Sequence, residues 1–521
     1  MSVPAFLANP NQPEPAVADF ETVDLLTIKP EPEAMALAPG EFALKRQVLP
    51  LRIENGELVA AVAGLHSLEA VDDLSILSGM PVRPVLADAQ QIKEKIEEHF
   101  LSRILSQMPG DESATDIDDT TDLADLTKMA GETAVIQMVN FLFAQAVRDS
   151  ASDIHIEPYE REVKVRFRVD GMLHDALRPP KRMHAALVSR LKILGEMNIA
   201  ERRLPQDGRI KISIAGRSID VRVSIIPTVY GERAVMRILD KGTAMLGMEQ
   251  LGMQPDVLVK YRRIIELPYG IILATGPTGS GKSTSLYASL QEIWSPETNI
   301  LTVEDPVEYQ VPGISQVQVR PQIGLTFASG LRSFLRQDPD VIMVGEIRDL
   351  ETAEIAINAA LTGHMVFSTL HTNDAAGATT RLLDMGVEPF LVASSLVGVI
   401  AQRLVRRVCP YCAESITPTE ESLRALGVTE AEAKLGDFRR GKGCERCSNT
   451  GYKGRQGLYE LLVVDDTIRR LTVERASSDI MKKHAVDEQG MRTLLGDGKL
   501  AVLAGKTTPE EILRVCQRES I

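Results

Sequence analysis

No apolar run in this 521-residue chain approaches the roughly 18–20 residues needed to span a bilayer. The longest candidate, around Phe390 to Ala401, is short and contains two serines. A secretory signal is missing as well, because the first base is Lys29 and the opening segment is interrupted by Pro4, Pro10, Pro13 and Pro15. Both absences lead to the expectation of a cytosolic protein. Positive charge is scarce: 58 Lys and Arg face 72 Asp and Glu, a net charge of −14. No basic stretch carries interleaved aromatics either, so a nucleic-acid partner, which needs Lys and Arg to neutralise phosphates, is not expected. Cysteine is rare too. Of five in all, four form two Cys-x-x-Cys pairs and only Cys516 stands alone, which in a reducing compartment favours a metal site over disulfides.

What the chain does have is ordinary globular material. Apolar residues make up 44% and charged ones 25%, enough for substantial cores, and the length implies three or more domains. The stretch Gly270 to Thr284 stands out within it. An apolar strand, Ile271 to Ala274, runs into Gly276-Pro277-Thr278-Gly279-Ser280-Gly281-Lys282-Ser283-Thr284, and a helical pattern follows. This is G-x-x-x-x-G-K-[ST] in its required strand and helix context. The glycines permit positive φ and close approach, so successive N–H groups can surround an anion at the N-terminus of the next helix. Lys282 would reach the β- and γ-phosphates, and Ser283 offers a hydroxyl to Mg²⁺.

Before that loop, residues 1–20 read as a disordered leader and 21–108 as a small domain with strands at Glu41–Leu51, Glu57–Val62 and Val82–Leu86 and helices at Ser67–Ser78 and Ala89–His99. Its role reads as docking or as a structural cap. An acidic linker, 109–128, holds seven acids and no base between Asp111 and Asp125. Residues 129–240 form an α+β module: a helix over Thr133 to Arg148, another over His184–Leu194, and strands at Lys164–Val169, Ile210–Ile214, Ser218–Ile225 and Arg233–Leu239. Its strands carry Arg166, Arg168, Arg209, Arg217, Arg222, Arg233 and Arg237. Such arginines usually face water; beside a phosphate-binding loop some can instead reach a γ-phosphate.

A hinge at 241–252 precedes the P-loop core, read as 253–404. Three further apolar strands there end in polar residues, the pattern of a nucleotide-binding α/β sheet. Ile300 to Pro306 places Glu304 and Asp305 where ligands of open α/β sheets sit, and one of them could orient the attacking water. Asp340 to Asp349 looks like a Walker B strand with Gly345 where an aspartate is usual, leaving Glu346 the metal-facing role. Met365 to Asp374 ends in groups suited to sensing a γ-phosphate, among them His371, although a lone His at a strand end is often structural. Cys409, Cys412, Cys444 and Cys447 form two knuckles in a segment read as 405–456. Four thiolates leave no open position, so structural Zn²⁺ is expected, with a rubredoxin-like iron site as the competitor. Residues 457–521 read as helical.

Taken together these motifs resemble the secretion ATPases of bacterial type II secretion and type IV pilus systems, and most closely the type II secretion ATPases. The resemblance covers most of the chain and rests on Ala151-Ser-Asp-Ile-His-Ile-Glu-Pro158, Glu201 to Arg209, Asp220 to Ser224, the P-loop, Val303 to Glu308, Gly345 to Asp349 and Gly363 to His371. It implies a RecA-like α/β ATPase core, a PAS-like α+β domain before it, a small extra N-terminal domain and a tetracysteine zinc subdomain. Gly345 is expected in that family. The resemblance further implies that Glu304 is the catalytic glutamate, that Glu346 helps hold Mg²⁺, and that Arg222 and Arg237 reach the ATP. Arg332, Arg336 and Arg348 would lie near the site, with Arg336 among the nucleotide-binding residues. A homo-hexamer is implied, docked on inner-membrane secretion platform proteins through the N-terminal domain. Two other functions stand beside the secretion motor: a type IV pilus extension ATPase with the same chemistry, and a nucleic-acid motor or nucleotide-gated binding module, which the acidic balance disfavours.

Overall fold

The computed structural model describes residues 21–96, apart from 26–27, 29, 39–41, 44–45, 65–67, 90 and 93–94, and residues 133–516, apart from 215–216 and 241–245. The expected leader, the acidic linker and the first half of the expected hinge lie outside the described residues. Among the described residues no helix is long and apolar enough to cross a membrane.

The N-terminal unit is a three-stranded sheet, β1 (Val48–Glu54), β2 (Glu57–Val62) and β3 (Val82–Leu86), in that order. Asn55 and Gly56 turn β1 into β2 with φ of 51° and 82°, the pair of left-handed residues that a two-residue hairpin requires. The helix Leu68–Ser78 makes the crossover to the parallel β3. The expected strand over Glu41–Leu51 begins only at Val48; described residues before it are helical, and Gln47 at φ 51° separates the two conformations.

A second unit holds six strands in the order β6-β5-β4-β9-β8-β7: β4 (Asp153–Pro158), β5 (Val163–Val169), β6 (Met172–Leu177), β7 (Gln206–Ile214), β8 (Arg217–Thr228) and β9 (Gly231–Asp240). All pairings are antiparallel. Period-2 alternation sends Ile154, Ile156, Val165, Phe167, Val221, Val223 and Met236 to one face, where they pack with the helices Thr133–Arg148 and His184–Leu194. Polar residues of the same strands take the other face.

The third unit is built on a seven-stranded sheet in the order β12-β11-β13-β14-β10-β15-β18. Its strands are β10 (Gly270–Thr275), β11 (Ile300–Glu304), β12 (Ser315–Gln318), β13 (Val341–Val344), β14 (Met365–Leu370), β15 (Leu396–Val408) and β18 (Tyr452–Val463), while β16 (Ala413–Ser415) and β17 (Arg439–Gly441) form a separate two-stranded antiparallel sheet. Strands β10 to β15 pair in parallel and β18 closes the edge antiparallel to β15. Both faces are covered. Ile271 and Leu273 face one apolar cluster, Ile272 and Ala274 the other, and β13 and β14 divide in the same way. This explains why these strands read as continuous apolar runs.

Three expectations need correction here. β15 runs through Leu404 to Val408, so the tetracysteine segment is an excursion between two paired strands of the sheet, where Leu404 faces Gly457 and Val405 faces Gln456. Residues after Gly457 are not helical at once: Leu458 to Val463 complete β18, and helices follow from Asp466. Those helices pack on the sheet, with Ile468, Met481, Val502 and Ile512 joining the same cluster as Leu273 and Val344. The second half of the expected hinge holds a 3-10 turn, Met248–Leu251, whose Met248 is fully buried and whose Leu251 carbonyl accepts from Tyr459 Oη at 3.1 Å. It belongs to the sheet's packing.

Candidate functional site

The C-terminal end of β10 opens into a cavity of about 840 Å³ lined by Thr278–Thr284 on one side and by Asp153, Arg168, Arg222 and Arg237 of the second unit on the other. The glycines do what the motif requires. Gly279 and Gly281 have φ of 79° and 92°, and a Cβ at Gly276 would lie 2.5 Å from the Gln402 carbonyl oxygen, so only glycine fits. The helix Lys282–Ile293 starts at the loop with no side-chain cap, leaving N–H groups of its first turn for an anion. Lys282 is 9% exposed. Its Nζ donates back to Gly276 O at 2.7 Å and Pro277 O at 3.2 Å. Burial pushes its proton affinity down to about 8; Glu346 opposes this and Arg403 adds to it. An ammonium whose hydrogen bonds among the described residues go to carbonyl oxygens, beside uncapped N–H groups, makes this loop a ready cradle for phosphates.

The parallel strands bring their C-terminal residues to the same cavity, as open α/β sheets do. Glu304, at the end of β11, is 4% exposed and lines the cavity. Three donors fix its carboxylate: Tyr287 Oη, Thr302 Oγ1 at 2.6 Å and Gln316 Nε2 at 3.0 Å. Gly345 follows β13 and packs against this strand. A Cβ there would meet Glu304 Cα, Val303 O and a Phe327 ring carbon, each at 3.3 Å, so an aspartate would crowd the neighbouring glutamate. Glu346 lies next in the chain, with Arg348 donating at 2.6 Å and His371 Nε2 3.4 Å away. Burial would raise its carboxyl, but the Arg348 hydrogen bond and charge, with His371, hold it below the ordinary range. Ser283, Glu346 and Glu304 all line the cavity, and their oxygens are the hard donors that suit Mg²⁺.

The arginines of the second unit form a ladder. Cross-strand pairing sets Arg168 opposite Asp153, Asp153 opposite Arg237, Arg237 opposite Arg222, and Arg222 opposite Arg209. The single acid, Asp153, accepts from Arg237 Nε at 3.0 Å and lies 3.6 Å from Arg168. Arg222 donates to Glu308 at 2.9 Å and to the Val307 carbonyl at 2.5 Å, across to the segment after β11. Like charges set directly opposite one another oppose folding, so this row is a concentration of positive charge aimed at the loop.

Not every expected residue arrives. Arg332 pairs with Glu351, and Arg336 donates to Arg332 O and Ser333 Oγ; neither lines the cavity. Arg348 does. Sequence reading named Arg168 among the strand arginines without singling it out, and missed Arg455, which like Arg168 lines the cavity, and Tyr287 and Gln316, which orient Glu304. Arg168 could have been singled out once β4 was read as its partner, since the register sets it opposite Asp153. Tyr287 carries no motif.

The four paired cysteines converge at the base of the excursion between β15 and β18. Their Sγ atoms lie within 4.8 Å of one another, and the pairs Cys409–Cys444, Cys412–Cys447 and Cys444–Cys447 are 3.8, 3.8 and 3.6 Å apart. A tetrahedral ion with bonds of about 2.3 Å needs sulfurs about 3.8 Å apart. The backbone N–H groups of Cys444 and Gly451 donate to Cys447 Sγ at 3.2 and 3.3 Å, which suits a thiolate. All five cysteines are free of disulfides. Cys516 is packed away in the main core.

Strand order, P-loop and strand-end carboxylates define a P-loop nucleotide-binding protein of the RecA type. Residues 128–514 match the Type II/IV secretion system protein family and residues 18–104 the MshEN domain, so the chain belongs to the Type II/IV secretion system protein family. Type II secretion system protein HxcR of Pseudomonas aeruginosa is 50% identical over 92% of this chain and 96% of its own length. Type II secretion system ATPase E of Vibrio cholerae is 46% identical over 85% of this chain and 90% of its own. Type IV pilus assembly ATPase PilB of Myxococcus xanthus is 44% identical over 94% and 88%. Among solved structures, the Legionella pneumophila ATPase DotB is similar in fold, with a TM-score of 0.54 at 22% identity, over 72% of this chain and 94% of that one.

Proposed function

We propose that this protein hydrolyses ATP to drive pseudopilus assembly for type II protein secretion. The observation that carries the hydrolytic part is the cavity in which Lys282, Arg222, Arg237, Glu304 and Glu346 converge; the client follows from relatives named for type II secretion. In this reading the loop N–H groups and Lys282 hold the phosphates, and Lys282 exchanges the carbonyls of Gly276 and Pro277 for phosphate oxygens. Bound Mg²⁺, held by Ser283 and Glu346, supplies charge compensation for the transferring group. Glu304, steadied by Tyr287, Thr302 and Gln316, orients the attacking water, and His371 beside Glu346 senses the γ-phosphate. Arg222 and Arg237 leave Glu308 and Asp153 for the phosphates, where a guanidinium fork stabilises developing charge. The working form is a homo-hexamer at the cytoplasmic face of the inner membrane, docked on the secretion platform through residues 21–108. The thiolates of Cys409, Cys412, Cys444 and Cys447 hold a structural zinc.

Lys282→Ala tests the site: purified full-length variant should fold but lose ATP turnover by roughly 10³-fold or more, and near-normal turnover would refute the assignment. Elemental analysis of the same preparations should find one zinc per chain, and iron, or no metal in an active sample, rejects the zinc centre. A type IV pilus extension motor is the second reading, favoured by the PilB relative. Restoration of secretion, or of piliation, in strains lacking the corresponding motor separates the two, and turnover unchanged by added DNA is expected in either case.

A further inference from the structure

We propose that Arg403 is a positioning residue of the nucleotide site: from behind the phosphate loop it supplies positive charge to that loop and ties it to the segment that carries His371. The inference rests on the P-loop reading above and deepens it. Arg403 lies on β15, next to β10 in the sheet. It is 9% exposed, and among the described residues it makes no ion pair within 4.0 Å. Its guanidinium is held by neutral oxygens alone: Nη1 donates to Gln402 O at 3.1 Å, and Nη2 to Asn373 O at 2.9 Å and Asn373 Oδ1 at 3.4 Å. Burial lowers its proton affinity although Glu460 and Asp374 lie near enough to favour the charge, and a cation removed from water without a directly paired carboxylate is costly to keep in a fold.

Its placement says what offsets that cost. A Cβ built on Gly276 would lie 3.1 Å from Arg403 Nη1, so the guanidinium sits close behind the first turn of the phosphate loop, while Arg403 itself does not line the cavity. Lys282 Nζ rests on the carbonyl of that same Gly276, and the Arg403 charge contributes to its lowered proton affinity. Two cations flank one stretch of loop, one in front and one behind, and the site gains most from both when an anion occupies the cradle. The fork's other branch reaches Asn373, two residues after His371. That segment is gripped from its far side as well, where Ala375 N donates to the buried Glu460 carboxylate at 2.9 Å and Lys482 lies 3.6 Å from Asp374. Thr275 Oγ1, at the end of β10, donates to Asp374 O at 3.4 Å, and the Arg403 fork adds a second link between this segment and the base of the phosphate loop, so a shift of the loop on phosphate binding has a route through the guanidinium toward His371.

Charge and fork are separable. Arg403→Gln removes the charge and should weaken ATP binding by about tenfold or more, with a larger loss in turnover. Arg403→Lys keeps the charge but has no rigid fork to span Gln402 and Asn373; it should bind ATP within about threefold of the parent yet turn over at least about fivefold more slowly. Both are measured on the full chain with Mg²⁺, by equilibrium competition with a fluorescent nucleotide and by phosphate release, with circular dichroism confirming folding. Equal loss of affinity in the Gln and Lys variants means packing alone and overturns the charge role. Wild-type turnover in Arg403→Lys overturns the tether. If Arg403→Gln does not fold, the affinity and turnover split in Arg403→Lys decides the matter. Lys282→Ala in the same assays distinguishes the failures: normal ATP binding there removes the P-loop reading itself, whereas lost binding there with a normal Arg403→Gln removes only this inference.

Discussion

The two large sheets expose function in different places. In the seven-stranded sheet both faces are apolar and buried, and the chemistry sits at the strand ends, on Glu304, Gly345, Glu346 and His371. In the six-stranded sheet one face is apolar and the other is polar, with Asp153, Arg168, Arg222 and Arg237 lining the cavity. Burial explains the division. A parallel sheet covered by helices has no free face, so only its edges and ends can carry charge; an antiparallel sheet covered on one side keeps a whole face for polar side chains. Strand ends carry the loop and carboxylates, while the arginines come from a second sheet whose ladder sets like charges opposite one another.

Arg237→Ala breaks the comparison most sharply. If the exposed face of the six-stranded sheet is catalytic surface, losing this arginine should cut turnover by roughly 10³-fold while changing ATP affinity far less. Glu304→Gln, at a strand end, should cost roughly 10²-fold with affinity kept, the scale of a positioned base. Steady-state turnover and equilibrium binding of both variants check this. A surface arginine would show neither effect, and parallel losses of binding and turnover in Glu304→Gln would reassign that carboxylate to structure. Mixing Lys282→Ala with Arg237→Ala subunits adds a sharper result, because recovered activity means that the arginine works across a ring interface.

This contrast also explains what was legible in the sequence. The P-loop, the strand-end carboxylates and the cysteine pairs could be read directly, since each is a short run whose chemistry depends on neighbours in the chain. The seven-stranded sheet was legible as far as its apolar runs continued, but its edge was not. Arg406 and Arg407 break the run in β15, and the excursion separates that strand from β18 by 43 residues, so pairing of Leu404 with Gly457 left no local trace. The arginine ladder was half legible. Arg222 and Arg237 entered by resemblance, whereas Arg168 needed the cross-strand register, which no single strand reveals. Tyr287 and Gln316 act only by reaching Glu304 from elsewhere.

A smaller effect belongs to the strand-end side. Lys282 is buried in the phosphate loop with its proton affinity lowered to about 8, and phosphates bind its protonated form. Below pH 8 the proton is already present, so ATP affinity should be flat from pH 6.5 to 7.5. Above pH 8 binding must take up a proton, and affinity should fall, approaching tenfold per pH unit. Titration calorimetry in two buffers of different ionisation heat should show close to one proton taken up at pH 9 and almost none at pH 7. Uptake at neither pH would mean that Lys282 is already charged before ATP binds.

The smallest effect tests the ladder where it is least entangled with chemistry. Arg209 is the outermost rung; it faces Arg222 across the strand pair, is exposed, and donates to Gln318 Oε1 at 3.1 Å. On an ordinary solvated sheet face, Arg209→Gln would change nothing measurable. Here it removes one of two directly opposed arginine pairs, a relief of about 0.2–1 kcal/mol at low salt. Amide exchange along β7 and β8 in the nucleotide-free protein should therefore slow by up to about fivefold at low ionic strength. At 1 M salt, where the screening length is about 3 Å, the difference should vanish. Faster exchange at both salt concentrations would instead show that Arg209 braces the two sheets through Gln318. In that case the ladder would have to be shortened to Arg168, Asp153, Arg237 and Arg222, all of which line the cavity.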